Sequence, residues 1–174
     1  MSGPRKVLIL AAIGLAIGVG VGLYFWVGSR REPSPEPGKA PVPLKVKLYY
    51  YNEAKDKELT GAISCSPEAV LPVEREIPPT KTPIQDTIRL LLKGELTKEE
   101  RAAGFSTEFP HPEFKLLGAS LKDGVLTLKF ADPRGFSSGG ACRTSLLAAQ
   151  IIKTAEQFPG VRAVRFEPET LFQP

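Results

Sequence analysis

Gln150 to Phe166 reads "QIIKTAEQFPGVRAVRF", and this stretch decides the fold. It closes the longer run "ACRTSLLAAQIIKTAEQF", Ala141 to Phe158, in which Leu147, Ile151, Ala155 and Phe158 recur at helical spacing on one side. Pro159 cannot continue a helix, and Gly160 suits the left-handed stop that follows one. "VRAVRFE" then alternates as a strand does. A helix that ends on Pro-Gly and feeds straight into a strand must lie against a sheet, so the chain reads as a mixture of helix and strand. No residue in the stretch is reactive. It belongs either to a scaffold behind an active site or to a surface built to be held.

Working outward, "FKLLGASLKDGVLTLKFAD", Phe114 to Asp132, is two alternating runs joined by Asp123-Gly124, the mark of a tight two-residue hairpin. "LKVKLYYY", Leu44 to Tyr51, sets Leu44, Val46, Leu48 and Tyr50 on one face and Lys45, Lys47, Tyr49 and Tyr51 on the other. A polar loop is expected from there to Ser66. "VLPVEREI" is the next strand, and Pro72, which has no N–H, restricts it to an edge or a strand start. In "TPIQDTIRLLLKG", Thr82 to Gln85 reads as a capping box with Pro83 at the first helical position, and Gly94 as the stop. Ile84, Ile88 and Leu91 share a face there. A second box, Thr97 to Glu100, opens a short helix ending near Gly104. The expected fold class is α+β, with two helices packed on one face of a small mixed β-sheet in the order β-β-α-β-β-α-β, preceded by one transmembrane helix.

That last element is Val7 to Val27, "VLILAAIGLAIGVGVGLYFWV", 21 residues without a charge, against the roughly 20 needed to cross the hydrocarbon core. Arg5 and Lys6 flank one end and Arg30 and Arg31 the other, with Tyr24 and Trp26 at the second boundary, where aromatic rings favour the interface. The run is longer than a signal-peptide core and ends in bulky residues, so an uncleaved anchor is expected. Residues 1–6 are then a cytoplasmic tail, 7–27 the anchor, 28–43 a proline-rich linker and 44–174 an extracytoplasmic domain. Gly14, Gly18 and Gly22 form two GxxxG spacings, a face on which helices of two copies can pair. Arg30 to Pro43 holds five prolines in 14 residues, a stiff spacer that spans roughly 40 Å.

The net charge of +4 sits in the N-terminal region: from Leu44 onward 18 basic residues face 17 acidic ones. The domain therefore lacks the footprint of a nucleic-acid binder. Gly135-Phe136-Ser137-Ser138-Gly139 matches the G-x-S-x-G of serine hydrolases. However, Asp132-Pro133-Arg134 separate it from its strand, that strand belongs to a hairpin, and the single histidine, His111, precedes the serine rather than following it. A hydrolase acting through Ser137 is the weakest reading, and a glycine-rich entry to a helix explains the same residues. His111, between two prolines in "FPHPEF", reads as a surface-loop residue. One histidine makes no metal cluster, and no cofactor is expected. Glu74 and Glu76 share a strand face, where solvated charges are far commoner than a catalytic pair. Tyr49 and Tyr51, together with His111, form a candidate interaction surface for a protein or a cell-wall glycan, although core packing accounts for Tyr50 equally well. In an exported domain Cys65 and Cys142 pair as one disulfide, closing a loop of roughly 77 residues and contributing about 4 kcal/mol in the chain-entropy model. The alternative is two buried free thiols.

Taken in order, "VKLYYYNE", Leu71-Pro72-Val73-Glu74-Arg75-Glu76, "LLLKGELTKEERAAGFST", "LKDGVLTLKFAD" and "IIKTAEQFPGVRAV" resemble the GerMN domain, the sporulation and spore germination domain, from about Val46 to Phe166. The run from Thr154 to Val164 carries most of the resemblance. It implies an extracytoplasmic α/β sandwich related to the ring-building motifs of envelope complexes, in a family not known for enzymes. Its members are tethered by a membrane helix or a lipid, and one branch supports assembly of the sporulation machinery. This chain carries one copy where that branch carries a tandem pair, and its anchor is a helix with no lipid-bearing cysteine. The expected function is a noncatalytic interaction or scaffold domain on the bacterial cytoplasmic membrane, serving envelope, sporulation or germination assembly. A peptidoglycan-binding module is the alternative.

Overall fold

The structure, a computed structural model, describes residues 42–173. The expected anchor at Val7–Val27, its glycines Gly14, Gly18 and Gly22, and the linker up to residue 41 lie outside the described residues. Among the described residues no helix is long and apolar enough to cross a membrane.

The alternating run at the start forms strand β1, Leu44–Asn52, paired antiparallel with β2, Val70–Ile77, from Leu44 opposite Ile77 to Tyr51 opposite Val70. Val46, Leu48 and Tyr50 are buried on the expected face. β2 is an edge strand, as Pro72 requires. The stretch read as a polar loop contains a helix instead, α1, Glu53–Thr60. It has no apolar stripe, so periodicity does not announce it. It is held by its ends and by one buried carboxylate: Asn52 caps the first turn by accepting the Lys55 N–H at 2.8 Å, Gly61 stops the last turn at φ +80°, and Asp56 is the residue it buries.

Helix α2, Pro83–Leu91, buries Thr87, Ile88 and Leu91. The capping box expected at Thr82–Gln85 does not form: the Thr82 hydroxyl donates to Asp86 at 3.0 Å, and Gln85 accepts from Arg89. The second box does form, at the start of α3, Lys98–Ala102, with Glu100 N–H donating to Thr97 Oγ1 at 3.1 Å and Thr97 N–H to Glu100 Oε2 at 2.8 Å. The same Glu100 carboxylate takes both arms of the Arg75 guanidinium at 2.7 Å, which pins α3 to β2. A two-residue strand, β3, Phe105–Ser106, then pairs with the end of β1, giving a sheet ordered β2-β1-β3.

The hairpin is β4, Lys115–Lys122, and β5, Val125–Ala131, turning through Asp123 at φ +50° and Gly124 at φ +81°, the pair of positive angles a type I′ turn needs. Helix α4, Ala141–Glu156, crosses over to β6, Ala163–Glu167, which lies parallel to β5. The second sheet is therefore β4-β5-β6. The molecule thus has an α+β fold with two three-stranded sheets and four helices among the described residues. The single mixed sheet and the simple β-β-α-β-β-α-β order expected from sequence are corrected. Both sheets feed one core, in which Leu48, Tyr50, Leu126, Leu128, Ile88, Leu91, Leu147 and Ile151 are essentially inaccessible.

Helix α4 explains why the sheets stay apart. On the edge of β1 away from β2, the Gln157 side chain accepts the Lys47 N–H and donates to the Lys47 carbonyl, both at 2.7 Å. Thr154 Oγ1 accepts the Tyr49 N–H at 3.0 Å. The end of the helix thereby stands in for a strand, satisfying backbone groups that would otherwise pair with another chain. Two residues of the opening stretch do this, and its core-facing side chains do the packing.

Candidate interaction surface

The residues singled out from the sequence do not converge. Tyr51 is 8% exposed, and its hydroxyl donates to Asp56 Oδ2 at 2.6 Å, so it lies inside rather than on a ring platform. Burial first, then the neighbouring carboxylate, pushes this phenol well up. Tyr49 is half-buried and packs against the small cluster of Tyr51, Ala69 and Val70, as Leu146 and Ala149 also do. His111 is also half-buried. Its ring stacks on Phe136 with centroids 4.5 Å apart, making it part of the Phe109, Phe114 and Phe136 cluster rather than a free loop residue.

Ser137 is 2% exposed, and its hydroxyl donates to Asp132 Oδ2 at 2.6 Å. The same carboxylate accepts the Phe136 and Ser137 N–H groups at 2.7 and 2.9 Å. Burial opposes the charge on Asp132, but these donors outweigh it and hold the carboxyl below its ordinary range. The G-x-S-x-G match is thus a loop fastened to an aspartate, and its serine hydroxyl proton is directed to a carboxylate instead of to a histidine base. Among the described residues no group of three or more His, Cys, Asp or Glu side chains is arranged to hold a metal.

Cys65 and Cys142 form a disulfide with Cα atoms 5.4 Å apart. It ties the loop after α1 to the first turn of α4. Cys65 sits at φ +59°, a conformation uncommon for a residue with a side chain. Asp56 holds that conformation: its carboxylate accepts the Ser64, Cys65 and Ser66 N–H groups at 2.8, 2.8 and 3.2 Å, as well as the Ser64 hydroxyl. Burial pushes this carboxyl up, yet the Tyr51 hydroxyl and the three backbone amides prevail and hold it at about 2.

Where this loop, the disulfide, β3 and the N-terminal half of α4 meet, they enclose a groove of about 340 Å³. Tyr51, Ile63, Leu146 and Leu147 give it apolar walls, and Ser106 and Gln150 line it as well. Ile63 is 53% exposed. At the rim Arg143 donates to Glu108 at 2.8 Å, so the two charges offset each other. Gln150 is 2% exposed; its amide donates to the Leu146 carbonyl, and its Oε1 has no hydrogen-bond partner among the described residues. The sequence reading did not assemble this groove. The available signal was the polar series Gln150, Thr154, Gln157 along one side of an otherwise apolar helix.

A family described as "Sporulation and spore germination" (Germane) matches residues 47–169. Among solved structures, the tandem GerMN domains of the sporulation protein GerM from Bacillus subtilis are similar, with TM-score 0.50 and 20% identity over 79% of this chain and 43% of that one. The first GerMN domain of the same protein gives TM-score 0.50 and 14% identity over 71% of this chain and 80% of the other. This chain thus spans under half the length of the tandem structure it matches. No curated protein matches this chain. The match over residues 47–169, most of the chain, places it in the sporulation and spore germination family.

Proposed function

We propose that this chain is a noncatalytic interaction or scaffold module, held on the outer side of a bacterial cytoplasmic membrane by Val7–Val27 and set off from it by the proline-rich linker. In this reading it serves envelope, sporulation or germination assembly. The observation that carries the proposal is family membership over residues 47–169, alongside solved relatives from a sporulation protein. The chemistry of the described domain agrees with it. Ser137, the candidate nucleophile of the sequence, is bound to Asp132, and the carboxylates of Asp132 and Asp56 hold the backbone of loops.

The test is crosslinking in intact cells, with a photoreactive group placed at sheet-edge and loop positions of the full chain. The expected result is one dominant protein adduct or a ladder of the chain itself. Absence of any protein adduct, with the material retained on insoluble wall, overturns the proposal in favour of a peptidoglycan-binding module. A measured hydrolytic activity lost on Ser137→Ala would overturn its noncatalytic part.

A further inference from the structure

We infer that the groove beside the disulfide is the module's docking site, and that its occupant is an extended, uncharged peptide segment of a partner protein lying along the open edge of β3. The inference rests on the proposed function and names the surface through which it is exercised. Three observations carry it.

The first is the sheet edge. On the side of β1 away from β2, Lys47 and Tyr49 are met by Gln157 and Thr154, and Tyr51 lies opposite Ser106 of β3. β3 is the last strand of its sheet, so nothing in the sheet lies beyond it. The chain covers one stretch of this edge with a helix and the next with two residues of strand, and no strand pairs with the outer side of those two. An open edge beside a groove is what strand addition uses: backbone hydrogen bonds supply affinity, and a pocket takes one side chain.

The second is Gln150. Along α4 it precedes Thr154 and Gln157 by one and two helical turns on the same side. Those two are paired with β1, whereas Gln150 is almost fully buried with an acceptor oxygen that no donor reaches. A buried acceptor without a donor is costly and rare in a finished core. Gln150 lines the groove, so a turn of its amide toward the groove lets a backbone N–H of an added strand supply the missing donor.

The third is the character of the groove. Ile63, Leu146, Leu147, the disulfide and the side of the Tyr51 ring make up its apolar part, and its rim charges, Arg143 and Glu108, neutralise each other. Nothing there attracts a phosphate or a polyanion. The Tyr51 hydroxyl is already committed to Asp56, and Thr107 Oγ1 accepts the Phe109 N–H, which leaves Ser106 and Gln150 as the uncommitted polar side chains of the lining, few against the many hydroxyls of a glycan. An apolar side chain on a neutral backbone matches it.

The probe is a phage library of random dodecapeptides panned on the full chain, followed by affinity measurements with synthetic copies of the recovered sequences. Recovered peptides should share one aliphatic or aromatic residue flanked by β-branched ones. Their affinity should fall about tenfold on Ile63→Glu and on Gln150→Met. Methylating the peptide's backbone nitrogens one at a time should abolish binding at alternate positions, those that face β3. Ile63 is exposed and makes no hydrogen bond through its side chain, so Ile63→Glu reads the groove even where Gln150→Met loosens the core. Peptides that bind both variants as they bind the unaltered chain, or no enrichment at all, overturn the inference. So does binding of N-acetylglucosamine oligomers in the groove in place of peptide. If the cell crosslinks capture a partner at some other surface while the groove takes no peptide, this docking site falls and the interaction module stands. If neither experiment yields a protein contact, both fall.

Discussion

Two loops, residues 61–66 and 132–140, are both short, polar, and rich in serine or glycine, and each hangs on one aspartate. Asp132 stands at the head of its own loop and gathers the Phe136 and Ser137 amides and the Ser137 hydroxyl, beside an open groove of about 480 Å³. Asp56 instead reaches from a helix to a loop eight to ten residues later, is fully enclosed, and takes three backbone amides and two hydroxyls. One loop is tied locally and looks like a catalytic motif. The other is tied across the chain, bolted by a disulfide, and looks like nothing. Resemblance to a motif therefore tracks local spacing, while structural weight tracks enclosure and the number of donors a carboxylate satisfies.

The contrast breaks most sharply at Asp56. Asp56→Ala leaves three loop amides and the Tyr51 hydroxyl without their acceptor, so a fall in Tm of roughly 10–15 °C is expected by circular dichroism. The pH dependence has a definite sign. The carboxyl is held at about 2 against an ordinary 3.8. A depressed value stabilises the fold above the ordinary value, and that stability is lost as pH falls toward the folded one. The urea midpoint should therefore drop between about pH 4 and pH 2, with a smaller drop in Asp56→Asn. An unchanged drop would show that Asp56 does not carry it.

Removing the bolt should cost less than removing the cradle. Cys65→Ser with Cys142→Ser is expected to destabilise by about 2–4 kcal/mol in chemical denaturation. The loop should keep its hydrogen-exchange protection at residues 64–66, because Asp56 still holds those amides. Loss of that protection would mean the disulfide, and not the carboxylate, shapes the loop.

On the other side of the comparison the effects shrink. Asp132→Ala is expected to cost about 1–3 kcal/mol, since a half-open loop can turn its amides to water. Ser137→Ala removes one hydroxyl donor and should cost about 1 kcal/mol, with no change in any esterase assay. A larger loss than that of Asp56→Ala at either position would reverse the ranking drawn here.

Much of the fold was legible. The hairpin at Asp123-Gly124, the edge placement of β2 by Pro72 and the box at Thr97–Glu100 all follow from local chemistry that acts the same in any context, whereas the helix expected to run to Phe158 and stop at Gly160 ends at Glu156, with Gly160 in the turn beyond it. What escaped is non-local. Helix α1 has caps and charge pairs but no apolar stripe, and its one buried side chain is charged. The groove was illegible because its walls come from four separate segments, with only Cys65 and Cys142 hinting that two of them meet.

By itself the sequence determined the two long helices and every strand but the two-residue β3, since alternation, periodicity and Pro-Gly punctuation need only a few neighbouring residues. Only the tertiary structure decided that there are two sheets rather than one, that Tyr51 faces inward, and that Gln150 differs from Thr154 and Gln157. The physical reason is a competition for backbone edges. The end of α4 occupies the edge of β1 that a mixed sheet would have used, and two residues of β3 take the remainder. No local pattern records which of several possible partners reaches an unpaired N–H first.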